Sequence, residues 1–353
     1  MRQKIKRFIQ RIKIISVQSN KSVILLFIDF LVLKAKLNIS FYEYFKFDLE
    51  KKNNLLRQDF LSATNKKKYL KVLNPRKYFI LARNKYISHI LFNSNGIKTS
   101  KLYCYYNPFC VNTNNIIAGN INEVYTILNS NGIKECVIKT TESSHGEGVN
   151  VIKEMRYINN DIMLKRFDGK ERLLSDIIQK EPLIFESLVK QTKQFHSFNS
   201  SSVNTVRIMT GLKKDGSVKI FGALLKVGRT GSCVDNVGDG GNVSAKVDLE
   251  TGTISNVTNF QGWRNWKKTE RHPDSEELLE GIQIKNWEFI CCKIKEYQKN
   301  IPFLKTIGWD VAITDDGPLI IEMNDYWDET SQLFIGGWLN EIENLYNEWK
   351  NEF

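Results

Sequence analysis

The first eighty residues carry apolar positions at helical spacing. In MRQKIKRFIQRIKII, Ile5, Phe8, Ile9, Ile12 and Ile15 lie near one stripe, with Lys4, Lys6, Arg7, Arg11 and Lys13 elsewhere around the helix. The next apolar run, Val23 to Leu33, is interrupted by Asp29 and has about half the length that crosses a bilayer, so no transmembrane segment is expected. Amphipathic turns follow around Glu43-Tyr44-Phe45 and Leu55-Leu56, and no glycine occurs before Gly96. From Asn84 the texture changes. NKYISHILFNSNGIKTSKLY reads as a helix closed by Asn95-Gly96 and followed by a short strand, and a helix over about 120–130 stops at Asn131-Gly132. Runs rich in β-branched residues then predict strands over 136–140, 149–152, 183–187, 206–211, 218–228, 243–249, 308–314 and 318–324, mostly as antiparallel hairpins. Closing helices are expected at about 275–299 and 331–350. The pattern describes an α+β protein with a basic helical region (1–80), an α/β unit (81–135), a strand-rich unit (136–190) and a larger C-terminal unit (191–353).

Composition narrows this little: 353 residues with 42% hydrophobic and 25% charged positions make an ordinary folded chain and exclude disordered or collagen-like architectures. Charge changes the picture more. Residues 1–85 hold 21 Lys and Arg against 5 Asp and Glu, a balance of +16, while the rest of the chain holds 30 against 34, a balance of −4. A basic amphipathic helix at the start can lie on an anionic membrane or grip an acidic partner, or it can be a solvated face over a small helical core. Nucleic acid is not an expected partner, because Lys66-Lys67-Lys68 is a single short cluster and no zinc-finger, RNP-like or basic-zipper pattern accompanies it. The six cysteines show no CxxC pair, no zinc-ligand spacing and no secretory signal ahead of them, which suggests reduced thiols in a cytoplasmic protein.

Chemistry concentrates in GWDVAITDDGPLIIEMND. Asp315-Asp316-Gly317 is turn material between two apolar runs. With those three residues as the loop, Thr314 faces Pro318, Asp310 faces Glu322, and Asn324 points to the same side. Facing carboxylates repel unless a cation lies between them, and this all-oxygen set suits Mg²⁺, or Mn²⁺. A register off by one, with one acid in solvent, is the alternative. In CVIKTTESSHGEGVNVI a strand delivers Lys139 to a small-residue loop containing Ser143, Ser144, Gly146 and Gly148. Such a loop can fold over phosphates or can be an ordinary glycine hairpin, with His145 a solvated loop residue. Neither a Walker pattern nor a dinucleotide fingerprint is present. Arg207, inside the run SSVNTVRIMTG, needs an anionic partner, most simply a structural acid. The glycine-dense loop 229–242 carries Asp235 and Asn236 and is either a substrate cover or a surface turn. In WRNWKKTERHPDS, Trp263, Trp266 and His272 suggest packing more readily than sugar stacking.

Taken together, NKYISHILFNSNGI, VIKTTESSHGEGV, IFESLVKQ, SVNTVRI, DNVGDGGN, HPDSEELLEGIQIKNW and GWDVAITDDGPLIIEMN resemble the ATP-grasp superfamily, most closely its sugar-transfer associated branch. They run in order from about 84 to 325 and leave the basic N-terminal helices unexplained. The resemblance implies ATP held between two α+β subdomains, with 136–190 as lid, and the basic helices appended to this fold. It implies that Lys85 and Lys139 contact phosphates under the loop 143–148, and that Glu186, Ser187, Leu188 and Val189 form the linker that reads adenine. Asp310, Glu322 and Asn324 would bind magnesium. Where many relatives carry arginines this chain has Gly308 and Tyr326, so Arg207 and Lys226 become the candidates for charge at the transferring phosphoryl group. The usual acidic ribose contact is missing, with Gln191 as a substitute, and Arg229, Asp235 and Asn236 are the substrate candidates. The activity implied is carboxylate–amine ligation through an acyl phosphate, with a uronic acid or amino acid joined to an amine on a surface polysaccharide. Residues 1–35 would hold the enzyme near lipid-linked glycan at the inner face of the membrane. A sugar kinase and a catalytically silent nucleotide-binding membrane protein are the competing expectations.

Overall fold

The computed structural model describes residues 2–51, 55–111, 114–143, 148–178, 181–232, 235, 241–262 and 264–352, with 2–9 and 55 as backbone alone. Helices α1 (Arg2–Ser19) and α2 (Val23–Leu37) meet at a bend of 98°. Ser22 caps α2 by accepting from the Leu25 amide, and left-handed Asn38 ends it. In α3 (Phe41–Lys46), Ser40 and Glu43 form a reciprocal capping box. Ile12, Ile15, Leu26, Phe30 and Tyr44 share a small core. Asp29, which breaks the apolar run of α2, is turned onto Arg57 and the Tyr44 hydroxyl.

The next helices, α4 (Ala63–Leu73), α5 (Phe79–Arg83) and α6 (Lys85–Ser94), are pinned to the C-terminal part of the chain. Lys66 is buried, pairs with Glu329 and donates to the Trp327 carbonyl at 3.1 Å. The Asn74 amide donates to the carbonyls of Thr306 and Asp325 at 2.8 and 2.7 Å. The lysine cluster is therefore partly interior, which a charge count does not show.

One sheet takes in β1 (Leu102–Tyr106), β2 (Ile117–Ala118), β3 (Cys136–Thr140), β4 (Asn150–Ile158), β5 (Asp161–Arg166), β6 (Glu171–Leu173) and β7 (Leu183–Glu186), in the order β2-β1-β7-β3-β4-β5-β6. Helices α7 (Ile121–Ser130) and α8 (Leu174–Ile177) accompany it, and Val124, Leu128, Ile138, Leu164 and Phe185 are among its core residues. The boundary drawn at 135/136 runs through this sheet, because β7 returns between β1 and β3 and joins both sides.

After α9 (Lys193–Phe198), the second sheet comprises β8 (Thr205–Leu212), β9 (Val218–Val227), β10 (Val243–Val247), β11 (Ile254–Phe260), β12 (Trp266–Lys268), β13 (Thr306–Thr314) and β14 (Gly317–Asn324). Its order is β12-β11-β10-β9-β8-β13-β14. Helix α10 (Trp287–Asn300) covers one face through Trp287, Ile290 and Ile294. The helix expected from 275 starts only at 287, because the preceding stretch bends through left-handed Glu276 and Asn286 and buries Leu279 separately. The last expected helix is also divided, into α11 (Gln332–Ile335) and α12 (Leu339–Trp349). The break lies at Gly337, whose backbone passes so close to Asp59 that an added Cβ would stand 2.1 Å from the Asp59 carbonyl oxygen.

Candidate active site

The hairpin β13–β14 closes through a turn tighter than expected. Thr314 pairs with Gly317 rather than Pro318, leaving two residues in the turn. Continued regularly, that register would set Asp310 opposite Ile321. A bulge at Ile321 shifts the ladder by one, and Asp310 faces Glu322 after all. Asn324 lies opposite Gly308 and donates its amide to that carbonyl at 3.1 Å, which leaves the amide oxygen for another partner. Glu322 lines a cavity of about 390 Å³ together with Asp310, and among the described residues it has no ion-pair or hydrogen-bond partner.

Asp310 is the opposite case. Arg207 stands directly across from it on β8 and clamps it from Nε and Nη2 at 2.8 and 2.6 Å. Lys226, one strand further on β9, approaches the same carboxylate at 3.1 Å. Burial opposes ionisation of Asp310, but Arg207 and then Lys226 outweigh it and hold the carboxyl well below the usual range. Burial likewise disfavours the Arg207 charge, and Asp310 more than restores it. The structural acid anticipated for Arg207 is thus one of the expected metal ligands. Asp235, buried in the loop 229–242, accepts from the Thr205 amide at 2.9 Å and hydroxyl at 2.5 Å, and lies 3.5 Å from Lys226.

The other wall comes from the first sheet. Lys139 on β3 and Glu186 at the end of β7 form an ion pair on one face, since Glu186 pairs in register with Val137 two residues away. The second Glu186 oxygen accepts from Ser100 Oγ at 2.9 Å and meets His89 Nε2 at 2.9 Å. Burial pushes this carboxyl up, yet Lys139 and His89 prevail and bring it down to about 2. Lys85, one turn before His89 on α6, donates to the Ser143 carbonyl at 2.7 Å, and burial lowers its pKa. His89 and Ser100 were missed by the sequence reading; the i, i+4 spacing of Lys85 and His89 was the available signal. Val137, Val149, Val151, Phe167 and Ile321 supply apolar walls, and Leu188 and Val189 line the same space.

Several candidates are placed elsewhere than expected. The Glu186 side chain is a buried anchor for Lys139, and the residue also lines the cavity. The Ser187 amide donates to the Lys101 carbonyl at 2.9 Å and its Oγ accepts from the Lys101 amide at 3.0 Å, so Ser187 ties the linker to the first sheet. Gln191 is fully engaged: its amide donates to the carbonyls of Asn199 and Ser202 and accepts from Asn204, leaving nothing for a ribose. Arg229 is clamped by Asp274, 45 residues away, instead of being free for substrate. His272 is buried, donates from Nε2 to the Gly228 carbonyl at 2.9 Å and is pushed down by burial, so its ring belongs to the protein interior. Trp266 packs against Phe260 and Phe334. Gly148 is left-handed and sits against Thr140 at the end of β3. Ser144, His145, Gly146, Asn236 and Trp263 lie outside the described residues.

The donor set fits a hard divalent cation. Glu322 is an unpartnered carboxylate on the cavity wall, Asp310 faces it, and the Asn324 amide oxygen is not engaged by the bond that orients the side chain. A family model described as sugar-transfer associated ATP-grasp matches residues 64–344. A search of curated proteins finds no match. Among solved structures, the D-alanine–D-alanine ligase of Helicobacter pylori shares 13% identity at a TM-score of 0.43, over 78% of this chain and 64% of that one. The VanG D-Ala:D-Ser ligase of Enterococcus faecalis shares 12% at 0.42, over 75% and 62%. The ATP-grasp ligase PsnB, complexed with a minimal precursor, Mg and ADP, shares 11% at 0.38, over 79% and 62%. The chain spans less than two thirds of the length of each. With four fifths of its residues inside the family match, the chain belongs to the sugar-transfer associated ATP-grasp family and has the ATP-grasp fold.

Proposed function

We propose that this protein is an ATP-dependent carboxylate–amine ligase that makes an acyl phosphate, releases ADP and phosphate, and forms an amide on a surface polysaccharide. The carboxylate would belong to a uronic acid or an amino acid. The observation that carries the reading is the charge arrangement at one cavity: Lys85, Lys139 and Lys226 line it with Asp310 and Glu322, and Arg207 clamps Asp310 from β8.

In this reading Lys139, held by Glu186, and Lys85, held at the start of the loop 143–148, bind and orient the phosphates. The apolar walls and the backbone of 187–189 take the base. Mg²⁺ held by Asp310, Glu322 and Asn324 would screen phosphate charge. Arg207 and Lys226 lie one and two strands from the acid pair and offset charge on the transferring oxygens, so the protein supplies alignment and electrostatics rather than a nucleophile. Val137, Val151 and Phe167 exclude water that would hydrolyse an acyl phosphate. Asp235, anchored between Thr205 and Lys226, fixes one point of the loop 229–242 beside the acceptor.

The test is hydroxylamine trapping with uronic acids and amino acids screened by ADP release. A hydroxamate formed together with ADP supports the ligase. A stable phosphorylated sugar points to a kinase, AMP with pyrophosphate rejects the acyl phosphate, and absence of turnover leaves a nucleotide-binding protein.

A further inference from the structure

Helix α2 is apolar on both sides, and only one side meets the protein. Leu26, Phe30, Leu33 and Leu37 are buried in the N-terminal core. The opposite side presents Val23, Ile24, Leu25, Phe27, Ile28, Leu31 and Val32, every one of them exposed, with Ile24 at 71% and Val32 at 59%. Single exposed apolar residues are ordinary, whereas seven on one continuous helix face make a surface that water does not favour. On α1, Ile14 and Val17 are exposed as well, the latter at 83%.

The charge around this face is one-sided. Among residues 1–42 there are nine Lys and Arg and one acid, Asp29. That one carboxylate is turned inward and neutralised by Arg57, with Tyr44 donating to it at 2.5 Å. At about 100° per residue, Lys34 falls at one border of the exposed apolar arc and Lys36 at the other. Both are exposed, as are Arg11 and Lys13. An apolar ridge bordered by lysines is the profile of a helix lying in the plane of a bilayer interface, its lysines reaching for headgroups. No single described helix is long and apolar enough to cross a bilayer; α1 and α2 reach that length and composition only as a pair bent by 98°, and the far side of α2 is packed against protein.

We propose that α2, rather than the basic α1 singled out by its sequence, is the membrane-docking element, and that its partner is a bilayer containing anionic lipid. The ridge enters the interface, and Lys34, Lys36 and Lys13 select the anionic headgroups. This deepens the proposed function by placing the enzyme where lipid-linked glycans are found, but it is read without turnover and stands apart from the identity of the reaction.

The experiment sediments the full-length protein with vesicles of phosphatidylcholine alone and with about a third phosphatidylglycerol. Wild type should pellet with the anionic vesicles. The double variant Ile24→Glu, Ile28→Glu should lose at least about ten-fold of that binding while melting like wild type, because both side chains are exposed. Lys34→Ser with Lys36→Ser should lose the preference for anionic vesicles and the salt sensitivity that goes with it. The proposal is overturned by a wild type that stays in solution, by a glutamate variant that binds undiminished, or by a wild-type dimer that the glutamates make monomeric, which would assign the ridge to a second copy of the chain.

Discussion

Asp310 and Glu322 face each other across β13 and β14 because the bulge at Ile321 cancels the offset introduced by a two-residue turn. Their environments then diverge: Asp310 is clamped by Arg207 and Lys226, and Glu322 faces the cavity without a partner among the described residues. Two acids at one site therefore respond differently to removal.

Glu322→Ala removes a carboxylate that no ion pair or hydrogen bond holds among the described residues, although Lys85 and Arg207 attract it. We expect ADP release to fall by about 10²-fold or more, as several kcal/mol of transition-state stabilisation is lost, with Tm unchanged or raised in the absence of magnesium. Steady-state kinetics beside calorimetry with chelator check this, and undiminished turnover would refute the metal assignment.

Asp310→Asn should instead unfold more easily. Breaking a buried ion pair leaves Arg207 without its clamped partner and Lys226 with only Asp235 at 3.5 Å, which costs about 3–5 kcal/mol. Urea denaturation without nucleotide measures it, and a loss equal to that of Glu322→Ala would contradict the arrangement.

Glu186 sets an acid limit on stability. Its carboxyl is depressed to about 2, so the stabilisation from Lys139 and His89 is fully present above the unfolded carboxylate value of about 4.3 and is lost as pH falls from there through about 2. Glu186→Gln should flatten that part of the stability–pH curve. It should also raise the KM for ATP through a loosened Lys139, a change that a purely structural role would not produce.

Gln191→Ala tests the linker. The side chain holds the segment 199–204 and leaves nothing free for a sugar, so we expect a loss of about 1–3 kcal/mol in stability with the KM for ATP nearly constant. A raised KM at unchanged Tm would return Gln191 to the ribose.

Much of the hairpin framework was legible because strand and turn signals are local. β3, β8, β9 and β14 begin and end within a residue or so of where their β-branched runs do. The strands β5, β6, β11 and β12 were not, since their mixed polar patterns acquire meaning only beside a neighbour. Asp310 facing Glu322 was foreseen through a wrong loop length, and the bulge that rescues it has no signature in the spacing.

By itself the sequence determined the α+β class, the family, the candidate cations and acids that the fold brings to one cavity, and the basic helices at the start. Only the tertiary structure decided which charge answers which: Arg207 with Asp310, Lys139 with Glu186, Arg229 with Asp274, and Asp29 turned inward from an otherwise bare apolar ridge. Periodicity is a property of neighbours along the chain, whereas ion pairing and exposure depend on residues brought together from tens to hundreds of positions away, and their energies exist only once burial has lowered the local dielectric.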